Sequence, residues 1–131
     1  MKKTIFLMII SVFSLICLAQ EIQPDSTTVA KPKITFLELG STTCIPCQMM
    51  EEVLVSIREK YGDQIEVFFH DVKKENEIAV QYQVRMIPTQ VFLDEKGVEI
   101  HRHVGFYPEE QIDIFLQEQG LKIISKEETK E

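Results

Sequence analysis

Residues Ile34-Thr35-Phe36-Leu37-Glu38-Leu39 form a short run that is apolar on both alternating faces, with Glu38 as its one exception. Such a run suits a central strand covered on both sides. After Gly40-Ser41-Thr42-Thr43, the apolar residues Cys47, Met50, Leu54, Ile57 and Tyr61 recur at helical spacing, which predicts an amphipathic helix from Ile45 to about Tyr61. Gly62-Asp63 then punctuates the chain, and Ile65 to His70 reads as a second buried strand. A strand, a helix and a returning strand make a right-handed βαβ unit, which restricts the chain to the α/β class.

Where the first strand hands over to the helix stand Cys44-Ile45-Pro46-Cys47. Two thiols at this spacing can close a small disulfide ring. At a helix start, the free backbone N–H groups and the positive end of the dipole favour a thiolate on the first of them. The helical phase turns Cys47 inward and leaves Cys44 at the helix mouth, and Pro46 is tolerated because a first-turn proline sacrifices no intrahelical bond.

Farther on, Lys73 to Gln83 carries Ile78, Ala79 and Tyr82 on one side and predicts a short amphipathic helix, which Met86-Ile87-Pro88 interrupts. Thr89–Asp94 and Val98–Val104 are strand patterns joined by Asp94-Glu95-Lys96-Gly97, a hairpin connection with glycine where a positive φ is wanted. In the second of these strands Val98, Ile100 and Val104 alternate with Glu99, His101 and His103. That alternation predicts an edge strand whose histidines face water. Pro108-Glu109-Glu110 opens a last helix, Ile112, Phe115 and Leu116 give its buried side, and Gly120 ends it.

The order β-α-β-α-β-β-α, with Cys-x-Pro-Cys after the first strand, Ile87-Pro88-Thr89 before the hairpin and Val104-Gly105 after its second strand, resembles the thioredoxin family. The resemblance implies a thioredoxin-like α/β fold over residues 33–122, a mixed four-stranded sheet flanked by helices that lacks the first strand and helix of full thioredoxins. It implies a cis bond before Pro88, a backbone at Ile87 that pairs with a substrate chain, and a substrate surface shared by Ile45, Pro46, Ile87, Pro88, Thr89 and Gly105. Glu38 stands where thioredoxins carry a buried carboxylate that moves the proton of the second cysteine. A desolvated carboxyl on an apolar strand has a raised pKa and becomes a usable base near neutrality. Thr43 replaces the family's tryptophan before the first cysteine, and the strand ending near His70 lacks the usual lysine.

Composition and the chain ends bound the setting. The 21 acidic and 14 basic residues give a net charge of −7, which points away from nucleic-acid partners. Met1-Lys2-Lys3 and the apolar stretch Ile5–Leu18, closed by Cys17-Leu18-Ala19, read as a signal peptide over residues 1–19. Retention as a membrane anchor, or lipidation of Cys17, are the alternatives. Residues 20–32, with two prolines and no period, read as a flexible linker, and 123–131 as a charged tail.

Together these features predict an exported, monomeric thiol-disulfide oxidoreductase of periplasmic or extracellular location. Cys44 is the attacking thiolate, Cys47 the resolving thiol and Glu38 its base. The substrates are disulfide-containing proteins, the reductant is a membrane thiol-transfer donor, and no cofactor beyond the redox-active pair is expected. Ile45-Pro46 offers no positive charge between the cysteines and favours a reductase over an oxidase or isomerase. Two other readings keep the same residues: a non-catalytic binding module with a structural disulfide, and a metal site in which Cys44 and Cys47 join His101 and His103.

Overall fold

The computed structural model describes residues 31–124, in the order β1 (Ile34–Gly40), α1 (Ile45–Tyr61), a short 3-10 turn (Gly62–Gln64), β2 (Ile65–Asp71), α2 (Asn76–Gln81), β3 (Thr89–Asp94), β4 (Glu99–Val104) and α3 (Glu109–Glu118). The expected signal peptide, nearly all of the expected linker and the tail from Ser125 lie outside the described residues. Among the described residues no strand or helix precedes β1, and no helix is long and apolar enough to cross a membrane.

β1 is central in a mixed sheet of order β2-β1-β3-β4. It runs parallel to β2, from Ile34 opposite Ile65 to Gly40 opposite Asp71, and antiparallel to β3, from Ile34 opposite Asp94 to Leu39 opposite Thr89. This register sets three segments at one end of the sheet: the loop after Gly40, the residues before Thr89, and the residues after Val104, which pairs with Thr89.

The strand period of two divides β1 between two cores. Phe36 packs with Met50, Ile57, Tyr61, Phe92, Ile112 and others under α1 and α3, while Leu37 and Leu39 join Val91 and Leu93 on the opposite face beneath Val72, Ile78, Tyr82 and Val84. Phe36 stacks on Phe92 with ring centroids 4.3 Å apart. Burial of each such side chain contributes on the order of 2 kcal/mol. Lys60 near the end of α1 pairs with Glu109 and, at 2.6 Å, with Asp113 of α3, and Asp113 also accepts the buried Tyr61 hydroxyl at 3.0 Å. Burial and that carboxylate push the Tyr61 pKa up to about 12.

Two expectations are corrected. The helix anticipated over Lys73–Gln83 is only Asn76–Gln81. Asp71 turns the chain first: its carboxylate accepts the Lys73 N–H and its carbonyl accepts those of Lys74 and Glu75. The faces of β4 are the reverse of those expected. Val98, Ile100 and Val104 are exposed, whereas His101 and His103 are half-buried. In the register His101 lies opposite Phe92 and His103 opposite Gln90, on the side covered by α3. The imidazoles are held there as flat rings: His101 stacks on Phe115 at 4.5 Å and meets the Tyr107 hydroxyl at 3.1 Å, and His103 stacks on Tyr107 at 4.0 Å. Burial, and then the neighbouring His103, hold the His101 pKa below its usual value.

Candidate active site

Cys44 is the N-cap of α1, with extended backbone angles (φ −100°, ψ 119°) that end the loop and aim the chain into the helix. Its carbonyl accepts the Gln48 N–H at 3.0 Å. No side chain caps this end and no acidic residue lies in the first turn, while Arg58 and Lys60 occupy the last. The positive end of the dipole is therefore left for whatever sits at Cys44. Cys44 and Cys47 are joined by a disulfide, their Cα atoms 5.2 Å apart. Cys44 is partly accessible and Cys47 is buried, 1% exposed.

Gly40 makes the place for Cys47. A Cβ at Gly40 would lie 3.1 Å from Cys47 Sγ and 3.3 Å from the Phe69 ring, so β1 approaches the dithiol because that residue carries no side chain. Between them, Cys44 N–H donates to the Ser41 carbonyl at 3.1 Å and Gln48 Nε2 donates to the Thr42 carbonyl at 2.8 Å. Thr42 Oγ1 donates to Asp71 and Lys73 Nζ to Thr43 Oγ1, tying the loop to the end of β2. Burial alone would raise the Asp71 pKa, but hydrogen bonds from the Lys73 N–H, Thr42 and Lys74 hold it below the usual value.

Glu38 is fully buried on the same face of β1 as Gly40, one strand repeat of about 7 Å away. Burial pushes its pKa up to about 7 against the lowering effect of Gln90, whose Nε2 donates to Oε2 at 3.0 Å. Glu38 Oε1 and Gln90 Oε1 are both buried without a hydrogen-bond partner.

Of the other expected site residues, the register sets Ile87, Pro88, Thr89 and Gly105 at the end of the sheet where β1 runs into the dithiol loop, and Ile45 and Pro46 open α1. The Ile87–Pro88 bond is cis, and Pro88 is buried immediately before β3 while Ile87 is half-buried. Thr89 Oγ1 donates to the Met86 carbonyl at 2.6 Å, and Gly105 N–H donates to the Pro88 carbonyl at 2.8 Å. Gly105 has φ +95°, so the bond that fastens the proline loop to the end of β4 needs a residue at ease in that region. Ile45 and Pro46 are exposed beside Cys44. Met50 is core, whereas Met49 and Met86 lie open on the rim. Ile45, Met49 and Phe106 line a shallow cleft of about 460 Å³ with Glu52 and Glu109.

Among the described residues no three His, Cys, Asp or Glu side chains converge as a metal site. His101 and His103 point into the aromatic cluster under α3.

A sequence pattern for the thioredoxin-like domain matches residues 25–120. This chain belongs to the thioredoxin-like family. It is 35% identical over 88 residues to the chloroplastic thioredoxin Y of Oryza sativa, covering 67% of this chain and 52% of that one. The chain thus spans about half the length of that relative. A thioredoxin-like protein of Synechocystis is 38% identical over 74 residues, covering 56% of this chain and 70% of the other. Among solved structures, the germline thioredoxin Deadhead of Drosophila melanogaster superposes with a TM-score of 0.61 at 29% identity, over 69% of this chain and 83% of that one. A mutant thioredoxin of Halobacterium salinarum superposes at 0.62 and 23% identity, covering 72% and 80%, which supports the fold.

Sequence reasoning singled out both cysteines and Glu38 and passed over the roles in packing of Gly40 and Gln90. For Gln90 a signal existed. Thr89–Asp94 carries one long polar residue among apolar ones, as Ile34–Leu39 carries Glu38. Two such exceptions on strands that pair are candidates for each other. Gly40 left no comparable mark, because a glycine ending a strand is read first as a turn residue.

Proposed function

We propose that this chain is a thiol-disulfide oxidoreductase that reduces disulfides in exported proteins. Cys44, as thiolate, attacks a substrate disulfide and forms a mixed disulfide, releasing one substrate thiolate. Cys47, giving its proton to Glu38, then attacks Cys44 Sγ, closes the internal disulfide and releases the second thiolate. The observation that carries this reading is the pair itself: a partly accessible cysteine at an uncapped, acid-free helix start, bonded to a cysteine buried against Gly40.

The substrate chain docks along Ile87, Pro88 and Thr89, with main-chain pairing at Ile87 giving affinity and little sequence preference. Gly105 holds that loop through Pro88, and Ile45 and Pro46 supply apolar contact next to the attacking sulfur. The reductase direction is supported by the absence of charge between the cysteines. Such a reductase, working as a monomer in an oxidising compartment, is recharged by a membrane thiol-transfer donor.

The reading is tested by reduction of a protein disulfide such as that of insulin. Wild type is expected to be active and Cys44→Ser inactive, and Cys47→Ser is expected to accumulate mixed disulfides on Cys44. Equal turnover by wild type and Cys44→Ser contradicts it.

A further inference from the structure

The Glu38–Gln90 pair is unusual chemistry for a core. Both side chains are fully buried, they lie opposite each other on β1 and β3, and one hydrogen bond joins them. Two acceptor oxygens, Glu38 Oε1 and Gln90 Oε1, remain without a donor. A buried acceptor left unmade is costly, and two on adjacent side chains are more so. An ionised carboxylate only accepts, so it leaves the amide oxygen unserved. A protonated carboxyl differs. An acid and a primary amide are complementary across two bonds, amide N–H to one carboxyl oxygen and carboxyl O–H to the amide oxygen. A single proton on Oε1 therefore supplies the donor that the amide oxygen lacks and gives Oε1 a bond of its own.

We infer that Gln90 is a positioning residue of the dithiol site: its amide holds protonated Glu38 by two hydrogen bonds and ionised Glu38 by one, so the pair stores one proton for the Cys47 sulfur. The inference rests on the proposed dithiol chemistry and adds to it the group that controls the proton. Beside Glu38, β2 contributes Phe69 and β3 Gln90, α1 sets Cys47 against Gly40 two residues along β1, and His103 on β4 lies one strand beyond Gln90 with its Nε2 on the Phe106 carbonyl. Cys47 is thus seated one strand repeat from Glu38 on the same face of β1, and no lysine or arginine occupies the strand row that contains Glu38.

The steps balance. When a donor protein thiolate attacks Cys44 Sγ, the donor–Cys44 bond forms, the Cys44–Cys47 bond breaks, and the Cys47 sulfur leaves with the electron pair. The Glu38 proton moves to that sulfur, and the carboxylate that remains keeps the Gln90 N–H on Oε2. In substrate reduction the order reverses: Cys47 returns its proton to Glu38 as its sulfur attacks Cys44 Sγ, the Cys44–Cys47 bond forms, the Cys44–substrate bond breaks with the substrate sulfur leaving as thiolate, and the acid–amide pair closes again.

The test follows the pH dependence of Cys47 attack on a Cys44 mixed disulfide in wild type, Gln90→Leu, Glu38→Leu and the double variant. Gln90→Leu takes two hydrogen bonds from protonated Glu38 and one from the ionised form. It is therefore expected to move the inflection downward by about one pH unit, the scale of the one bond in excess, whereas an upward move overturns the inference. In the Glu38→Leu background the same change is expected to alter the rate by less than about twofold, since a residue acting through Glu38 has nothing left to act on. An unmoved inflection, or an equal loss in both backgrounds, overturns the inference. Should Gln90→Leu not fold, infrared spectroscopy of oxidised wild type at about pH 6 decides. A hydrogen-bonded carboxylic C=O band that vanishes in Glu38→Gln supports the stored proton, and its absence overturns it. A wild type unable to reduce disulfides at any pH overturns the proposed function instead, so the two failures are distinct.

Discussion

Gly40 on β1 and Cys47 on α1 are in such close contact that a Cβ on the glycine would lie 3.1 Å from the sulfur and 3.2 Å from Cys47 Cβ. The buried half of the dithiol is seated by this approach, and α1 is held against the sheet where its first turn carries the two cysteines. Gly40→Ala must displace Cys47 or the Phe69 ring, 3.3 Å away. Overpacking of this kind costs on the order of 1 kcal/mol or more. Urea unfolding of the oxidised protein is expected to show that loss, together with slower closure of the Cys44–Cys47 disulfide. An unchanged midpoint and closure rate would show the contact to be slack.

Glu38 couples folding to pH. Its pKa lies near 7 in the folded protein against an ordinary value of 4.5, with burial as the main cause. Between those values the unfolded chain has released the proton and the folded chain keeps it. The contribution is thus fully present below pH 4.5 and is lost as pH rises through about 7. The loss amounts to about 3 kcal/mol, at about 1.4 kcal/mol for each pH unit that separates the folded and unfolded values. Denaturant titrations across this window, with the Glu38→Gln curve subtracted to remove His101 and other groups, are expected to fall with rising pH. A flat difference curve contradicts the burial of an ionisable carboxyl here.

The sequence carried the architecture because β1, α1, β2 and the hairpin each had the period their burial demands. The helix expected from Ile45 to about Tyr61 and the strand Thr89–Asp94 match the structure, and the four-stranded mixed sheet and thioredoxin-like fold are as expected. The inner face of β4 was not legible. Its alternation was seen, but polarity assigned the wrong side, since a histidine can pack as an aromatic ring where Phe115 and Tyr107 offer faces to stack on. Nor was the pairing of Glu38 with Gln90 legible, because it depends on the β1–β3 register and not on distance along the chain.

The reversed faces of β4 have a direct consequence for substitutions. Val98→Lys and Val104→Lys, at positions 56% and 45% exposed, are expected to change stability by no more than about 0.5 kcal/mol. His101→Ala removes a ring packed on Phe115 and the partner of the Tyr107 hydroxyl, and is expected to cost about 1–2 kcal/mol. Thermal or urea unfolding of the three variants gives the comparison. The opposite order of costs would restore the wet-histidine reading.

The direction of electron flow is set by how strongly the reduced dithiol is stabilised. With isoleucine and proline between the cysteines, a redox titration against glutathione or dithiothreitol is expected to place the couple nearer the reducing end of the range, about −270 mV, than the oxidising end, about −120 mV. A value at the oxidising end would make the chain an oxidase.

Most direct is the rate at which iodoacetamide alkylates each cysteine of the reduced protein at neutral pH, read by mass spectrometry. Cys44, at the open N-terminus of α1, is expected to react on the order of tenfold faster than an unstructured peptide thiol, and Cys47, buried against Gly40, far more slowly. A Cys44 no faster than the peptide, or a Cys47 that reacts as readily, would contradict the assignment of nucleophile and resolving thiol on which the account rests.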